Sequence, residues 1–282
     1  MSFRARGVAL ILVLMVTGAL GLLMLQFGLT VREQTARAQK LLDRAEADLK
    51  LRSVSSQVLF DLVTQTWEVN PEVSDQESFV RLWNFRGQPF GDNGVTVSIQ
   101  DLSGLIALPQ PGENPALFER ALEAIGIPSQ RAEDLASRIR KLQSSDNVPL
   151  QDLSELRLLL GLSGDELARL AAFTTLYPTP GFNPGTAPME SLDVRFSGSV
   201  LTGLRDLRAD GRLNERNFFQ VAGSVADEFM SFYPGPGFRI TTQISLRDVT
   251  AAEELTLSVD PYHSDPFVVW SRRRPSSTGP SP

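Results

Sequence analysis

Few side chains in this sequence are equipped for covalent or metal chemistry. Cysteine is absent and His263 is the one histidine, which removes thiol catalysis and cysteine zinc sites and leaves little imidazole acid–base chemistry. No G-x-S-x-G elbow, G-x-x-x-x-G-K loop, H-E-x-x-H helix or dinucleotide fingerprint occurs. Hydrolysis would then need carboxylates or a Ser–Lys pair, and nothing in the sequence places such groups together. Asp101 invites a catalytic role, but beside Ser103-Gly104 an aspartate is read as a turn residue bonding backbone. Asp206, Asp210, Asn214 and Glu215 carry oxygen ligands that Ca²⁺ accepts, yet their order is not that of an EF-hand, and a solvated loop is the favoured reading. The turn Leu160-Gly161-Leu162-Ser163-Gly164 has the shape of a helix-hairpin-helix phosphate grip. Asp165 and Glu166 would meet the phosphates there, so the turn is read as packing. Arg272-Arg273-Arg274 is read as a charged strand edge that blocks aggregation.

The elements that would carry any function start at the N-terminus. Arg4-Ala5-Arg6-Gly7 precedes an apolar run from Val8 to Leu25, in which Thr17 has the only hydroxyl, and the first acid is Glu33. About 20 apolar residues cross a bilayer as helix. The leading arginines put the N-terminal side in the cytoplasm and the bulk of the chain on the far face. A cleaved secretory signal has a shorter apolar core of about 7 to 15 residues and an A-x-A exit, so this run is expected to stay. Without cysteine, an extracytoplasmic head must rely on packing. A net charge of −6 speaks against a nucleic-acid partner, which needs clustered Lys and Arg.

Between Gly28 and Pro71 no Pro or Gly interrupts the chain. Glu33 with Arg37, Glu46 with Lys50 and Asp48 with Arg52 are spaced for helical ion pairs. Leu51, Val54, Val58 and Leu62, widened by Leu59 and Val63, form an apolar stripe. The expectation is one helix over residues 8–67 whose upper part lies on its own head. Periodicity leaves open an anchor followed by a separate helix. Asn70-Pro71 closes the segment. Residues 68–111 are expected to start an α/β domain: Val95 to Gln100 alternates as a strand, and Asp101 to Gly104 turns it into Leu105 to Leu108 as a hairpin. Residues 112–235 read as an inserted helical domain. Asn114-Pro115, Ser129 and the Ser163 to Glu166 capping box start helices, and Gly126 and Gly161 end them. Further helices are expected from Thr186, over Val200 to Leu207 and over Phe218 to Phe232. Strands return in residues 236–274, at Phe238 to Leu246, Leu255 to Val259 and Phe267 to Trp270. The Pro/Ser-rich residues 275–282 are expected to be disordered.

Arg6-Gly7-Val8-Ala9-Leu10-Ile11 resembles the class III leader of type IV pilins and pseudopilins. The resemblance implies that residues 1–7 are a leader, that a prepilin peptidase cuts between Gly7 and Val8, and that Val8 becomes an N-methylated first residue. Most pilins carry glutamate at the fifth mature position; here that position is Leu12. The K-type minor pseudopilin of the bacterial type II secretion system characteristically lacks the acid. Val97 to Gly104, Ser154-Glu155-Leu156-Arg157 and Phe182-Asn183-Pro184-Gly185-Thr186-Ala187-Pro188 are similar to that family too, the last being a variant of its N-x-N-T-A-P. The family's Asp-Trp-rich stretch is not evident. What the resemblance implies is an α+β fold: a pilin-like long N-terminal transmembrane helix packed on an antiparallel sheet, with a large all-α domain inserted between strands. It further implies a non-enzymatic subunit of the inner membrane, single-pass, with its head in the periplasm. Its partners would be I-type and J-type minor pseudopilins and other pseudopilus subunits, with no nucleic acid. The family's heads can bind Ca²⁺, and no ligand residue is assigned to it. Two other readings stand beside this one: a membrane-anchored, competence-type pseudopilin gripping nucleic acid, and a tethered periplasmic enzyme.

Overall fold

The computed structural model describes residues 3–65, 67, 84–108, 114–146, 150, 152–223, 230–260 and 262–274. The expected closure at Asn70-Pro71, the start of the expected α/β domain, its boundary with the helical domain at 111–112 and the tail 275–282 lie outside these residues. Helix α1 runs unbroken over Phe3–Thr64, 62 residues, or about 90 Å at 1.5 Å per residue. Strand β1 (Val95–Asp101) follows, then a 3₁₀ turn over Leu102–Gly104 and the short β2 (Ile106–Ala107). Next come α2 (Pro115–Ala124), α3 (Ser129–Asp146), α4 (Leu153–Leu160) and α5 (Gly164–Phe173). Beyond β3 (Thr174–Thr175) lie α6 (Met189–Arg195), α7 (Gly198–Ala209) and α8 (Glu215–Ala222). The chain ends in β4 (Gly237–Leu246), β5 (Val249–Val259) and β6 (Phe267–Arg273).

The four long strands form an antiparallel sheet in the order β1-β4-β5-β6. Ala47, Leu51, Val58 and Leu62 of α1 are buried on it, against Val97 and Ile99 of β1, Phe238 and Ile244 of β4, and Leu257 of β5. Period-two strands and a one-sided helix stripe thus supply the two halves of one core. Burying each such Leu, Ile, Val or Phe side chain contributes roughly 1.5–3 kcal/mol. Lower on α1 every residue over 12–42 is exposed. Of the three expected helical ion pairs only Glu33–Arg37 closes, at 2.5 Å. Lys50 reaches the carbonyl of Asn93 at 3.5 Å, because the head's own loop passes beside it. At the foot of the head the buried Asp43 accepts from Arg247, which sits in the β4–β5 turn, and from Gln39 at 2.9 Å.

The hairpin expected after β1 does not form. The Asp101 side chain accepts the Ser103 N–H at 2.8 Å and opens the 3₁₀ turn, which carries the chain off the sheet instead of folding it back. β1 pairs with β4 (Ile99 opposite Ile240), and β2 pairs in parallel with β3. The helical domain is therefore inserted between neighbouring strands, with the β2–β3 pair as its small β component. Helix starts follow cap chemistry: Asn114 accepts from Leu117 at 3.1 Å, Ser163 and Glu166 close their box, and Asn214 accepts from Asn217 at 3.0 Å. Ser129 is the first residue of α3 and not its cap. The helix expected to Phe232 ends at Ala222, where Gly223 has φ +53°, and Met230 bridges Phe182 as extended chain. Phe118, Leu156, Phe173, Phe182 and Phe218 are at most 1% exposed and centre this second core.

Candidate functional site

The first site is the lower rod. Gly7 and Val8 lie within the backbone of α1. Leu12 is 60% exposed, and Leu14, Met15, Leu22, Leu23, Met24 and Phe27 are exposed with it. Thr17 donates its hydroxyl to the carbonyls of Val13 (2.9 Å) and Leu14 (3.1 Å), and Thr30 donates to that of Gln26 (3.0 Å), so both threonine hydroxyls are satisfied within the helix. This helix is long and apolar enough to cross a membrane.

The second site is the junction of sheet and helical domain, and Asp101 is at its centre. It is fully buried. Its Oδ1 accepts N–H groups from Ser103 (2.8 Å) and Gly235 (3.2 Å); its Oδ2 accepts from the Thr186 hydroxyl (2.8 Å) and the Asn183 amide (3.3 Å). Gln100 adds donations to the carbonyls of Asp101 (2.8 Å) and Thr186 (3.2 Å). A Cβ on Gly104 would stand 2.6 Å from the carbonyl carbon of Thr186, so two backbones touch where only glycine fits. Burial pushes the Asp101 carboxyl above its usual range, against the pull of these hydrogen bonds. The turn role read from sequence holds, with a larger cross-domain set of partners. In the sequence Gly235 stands within Pro234-Gly235-Pro236-Gly237, and nothing local links it to Asp101.

Arginines complete the junction. Arg239 of β4 donates to the carbonyls of Ala171 (2.6 Å) and Thr174 (3.0 Å), neutralising the C-terminal end of α5; burial lowers its pKa. Arg273 pairs with Asp152 before α4. Arg272 (2.8 Å) and Arg274 (3.5 Å) both meet Glu253, which is 1% exposed, and the hydrogen bond to Glu253 raises the pKa of Arg272. Arg272 and Arg273 do lie on the edge strand β6 and Arg274 just past its end, all half exposed, but the run also clamps that strand to its neighbours. Arg86 and Arg208, which gave no sequence signal, hold adjacent carbonyls of the loop after Asn183.

The remaining sequence candidates do not converge. Asp206 and Asp210 end α7, while Asn214 and Glu215 begin α8. Among the described residues no three His, Cys, Asp or Glu side chains group as metal ligands. At the turn before α5, the Glu166 carboxylate takes the Ser163 N–H (2.7 Å) and Arg131 (2.6 and 3.3 Å). Arg131, then the Ser163 N–H, hold its pKa down to about 2. A lowered folded-state pKa stabilises fully above the ordinary value near 4.5 and is lost as pH falls through about 2. The protection factor of the amides in the first turn of α5, which is the intrinsic exchange rate at each pH divided by the observed rate, is therefore expected to fall from pH 4.5 down to about 2, and Glu166→Gln is expected to remove that pH dependence. A protection factor constant across this range in the parent protein would refute the pairing.

A long half-clad N-terminal helix, an antiparallel sheet under its upper part and a helical domain between two neighbouring strands define a pilin-like α+β protein. No protein-family model and no curated protein matches the chain. Among solved structures it is similar to a chain of the crystal structure of the GspK-GspI-GspJ complex from the enterotoxigenic Escherichia coli type 2 secretion system. The TM-score is 0.54 at 14% identity, over 86% of this chain and 100% of that one. The fold is a GspK-like pseudopilin fold.

Proposed function

We propose that this protein is a minor pseudopilin of the K type, standing at the tip of a short periplasmic pseudopilus. There it joins I-type and J-type subunits and starts assembly, and growth behind it drives folded proteins through the outer-membrane channel. Prepilin peptidase cuts between Gly7 and Val8 and methylates Val8, and the helix stays in the inner membrane as a structural element with no catalytic role. The observation that carries this reading is the exposed, acid-free rod with Leu12 at the position of the pilin glutamate, continuous with a head of this fold. An intramembrane carboxylate is costly unless paired. In pilins it is taken to meet the amine of the subunit above, and a chain with Leu12 needs no such neighbour. A nucleic-acid grip has less support, since Glu166 itself fills the start of α5.

The test is co-expression of the full-length chain with I-type and J-type pseudopilins, followed by detergent extraction and affinity purification. A stoichiometric three-component complex is expected. Retention of neither subunit, together with salt-dependent DNA binding, would replace this reading with the competence-type one.

A further inference from the structure

Two arginines from distant parts of the chain share one turn. Arg86, beside β1, donates Nε–H to the carbonyl of Gly185 at 2.8 Å, and Arg208, in the last turn of α7, donates from Nη2 to the carbonyl of Pro184 at 2.7 Å. Holding neighbouring carbonyls brings the two guanidinium groups together. Among the described residues no carboxylate pairs with either, whereas Arg131, Arg205, Arg247, Arg272, Arg273 and Arg274 each have one. Among the described residues Arg208 Nη1 meets the Met189 sulfur, at 3.4 Å, and the buried Nε–H has no acceptor. Both groups are partly out of water: burial lowers the pKa of Arg86, and burial followed by the charge of Arg86 pushes Arg208 down to about 10. Two half-buried like charges are unfavourable unless negative charge joins them.

Access exists on the Arg86 side. An open cavity of about 410 Å³ lies between the outer face of the sheet and α5–α6, lined by Arg86, Ser98, Gln100, Glu190, Arg239 and Glu254 among others. Arg239 is already spent on two carbonyls. Neither Glu190 nor Glu254 bonds to the pair, and their charges on the same cavity disfavour a multiply charged ligand.

We infer that Arg86 and Arg208 form a carboxylate-binding site at the Pro184-Gly185 turn. The guanidinium fork matches a carboxylate in two-point geometry. The ligand is an acidic side chain of a neighbouring polypeptide or a free small carboxylate. The site itself stands or falls separately from the pseudopilin reading, and only the assignment of its carboxylate to a neighbouring subunit rests on that reading.

The full-length chain in detergent is titrated with sodium acetate against sodium chloride at matched ionic strength and pH 7, with the midpoint of thermal unfolding as readout. A saturable rise beyond the chloride control is expected. Arg86→Lys and Arg208→Lys keep the charge and the stem but lose the fork, and each is expected to move the acetate midpoint about fivefold or more upward. Arg140→Lys, exposed on α3, is expected to match the parent. A response to acetate no larger than to chloride, or one that both lysine variants reproduce unchanged, overturns the site. The co-expressed subunits then distinguish the two sources. Retention that falls with acetate and in Arg208→Lys assigns the carboxylate to a neighbour; retention that does not fall, with the acetate response intact, assigns it to a free ligand.

Discussion

Gly7→Leu is expected to leave the protein at full length in cells that contain prepilin peptidase, with processing slowed on the order of 100-fold or more, as misplacement of a scissile bond by about 1 Å can do. Two effects act together. Gly7 lies inside α1, so the bond to Val8 has to leave a helix before a peptidase can reach it. Glycine loosens a helix by about 1 kcal/mol relative to alanine, and leucine removes that weakness. Leucine also adds bulk where the leader resemblance requires the smallest residue. Pulse-chase labelling with N-terminal sequencing reads the outcome directly. Normal yields of chain beginning at Val8 from the variant would remove the leader assignment, and a mature chain beginning near residue 30 would remove the anchored rod with it.

Asp101→Ala is expected to destabilise the head by about 4 kcal/mol, since each buried group left without its partner costs roughly 1–3 kcal/mol. Four donors converge on that carboxylate, from Ser103, Gly235, Thr186 and Asn183. They come from three separated stretches of chain. Asp101→Asn keeps one acceptor oxygen and is expected to cost less than half as much. Denaturant unfolding of the full-length chain measures both; a loss under about 1 kcal/mol for the alanine variant would mean the junction is held elsewhere. The pH dependence has its own sign. Because the folded carboxyl titrates above the ordinary value of 3.8, the folded state holds its proton more readily than the unfolded chain. Stability from this one group falls as pH rises through that window, opposite to the behaviour of Glu166.

Local chemistry was legible where it acts locally. Asn114-Pro115, Ser163 with Glu166, and Gly161 start or stop helices through their own side chains or their freedom at positive φ, and the Leu51 to Leu62 stripe found its sheet. Partner choice across the chain was not. Nothing in Val95 to Asp101 says that its neighbour is β4, beyond the whole helical insertion, so a nearby hairpin was the expectation. The same holds for the junction: Asp101 carries a turn signal, while Gly235 and Arg208 carry none that names the residue each will meet. Glu46 and Lys50 show the reverse failure, a sound local pairing rule displaced by a loop that arrives from the head.

The bare length of α1 sets a clearance. Between Thr30 and the Arg247 latch at Asp43 the helix spans about 20 Å, while a neighbouring helix is only about 10–12 Å wide. On the proposed reading the head overhangs the bilayer like a canopy on a single post, with headroom for other shafts to slide in beneath it. Because the post has no joint, thrust applied at its foot reaches the canopy without slack.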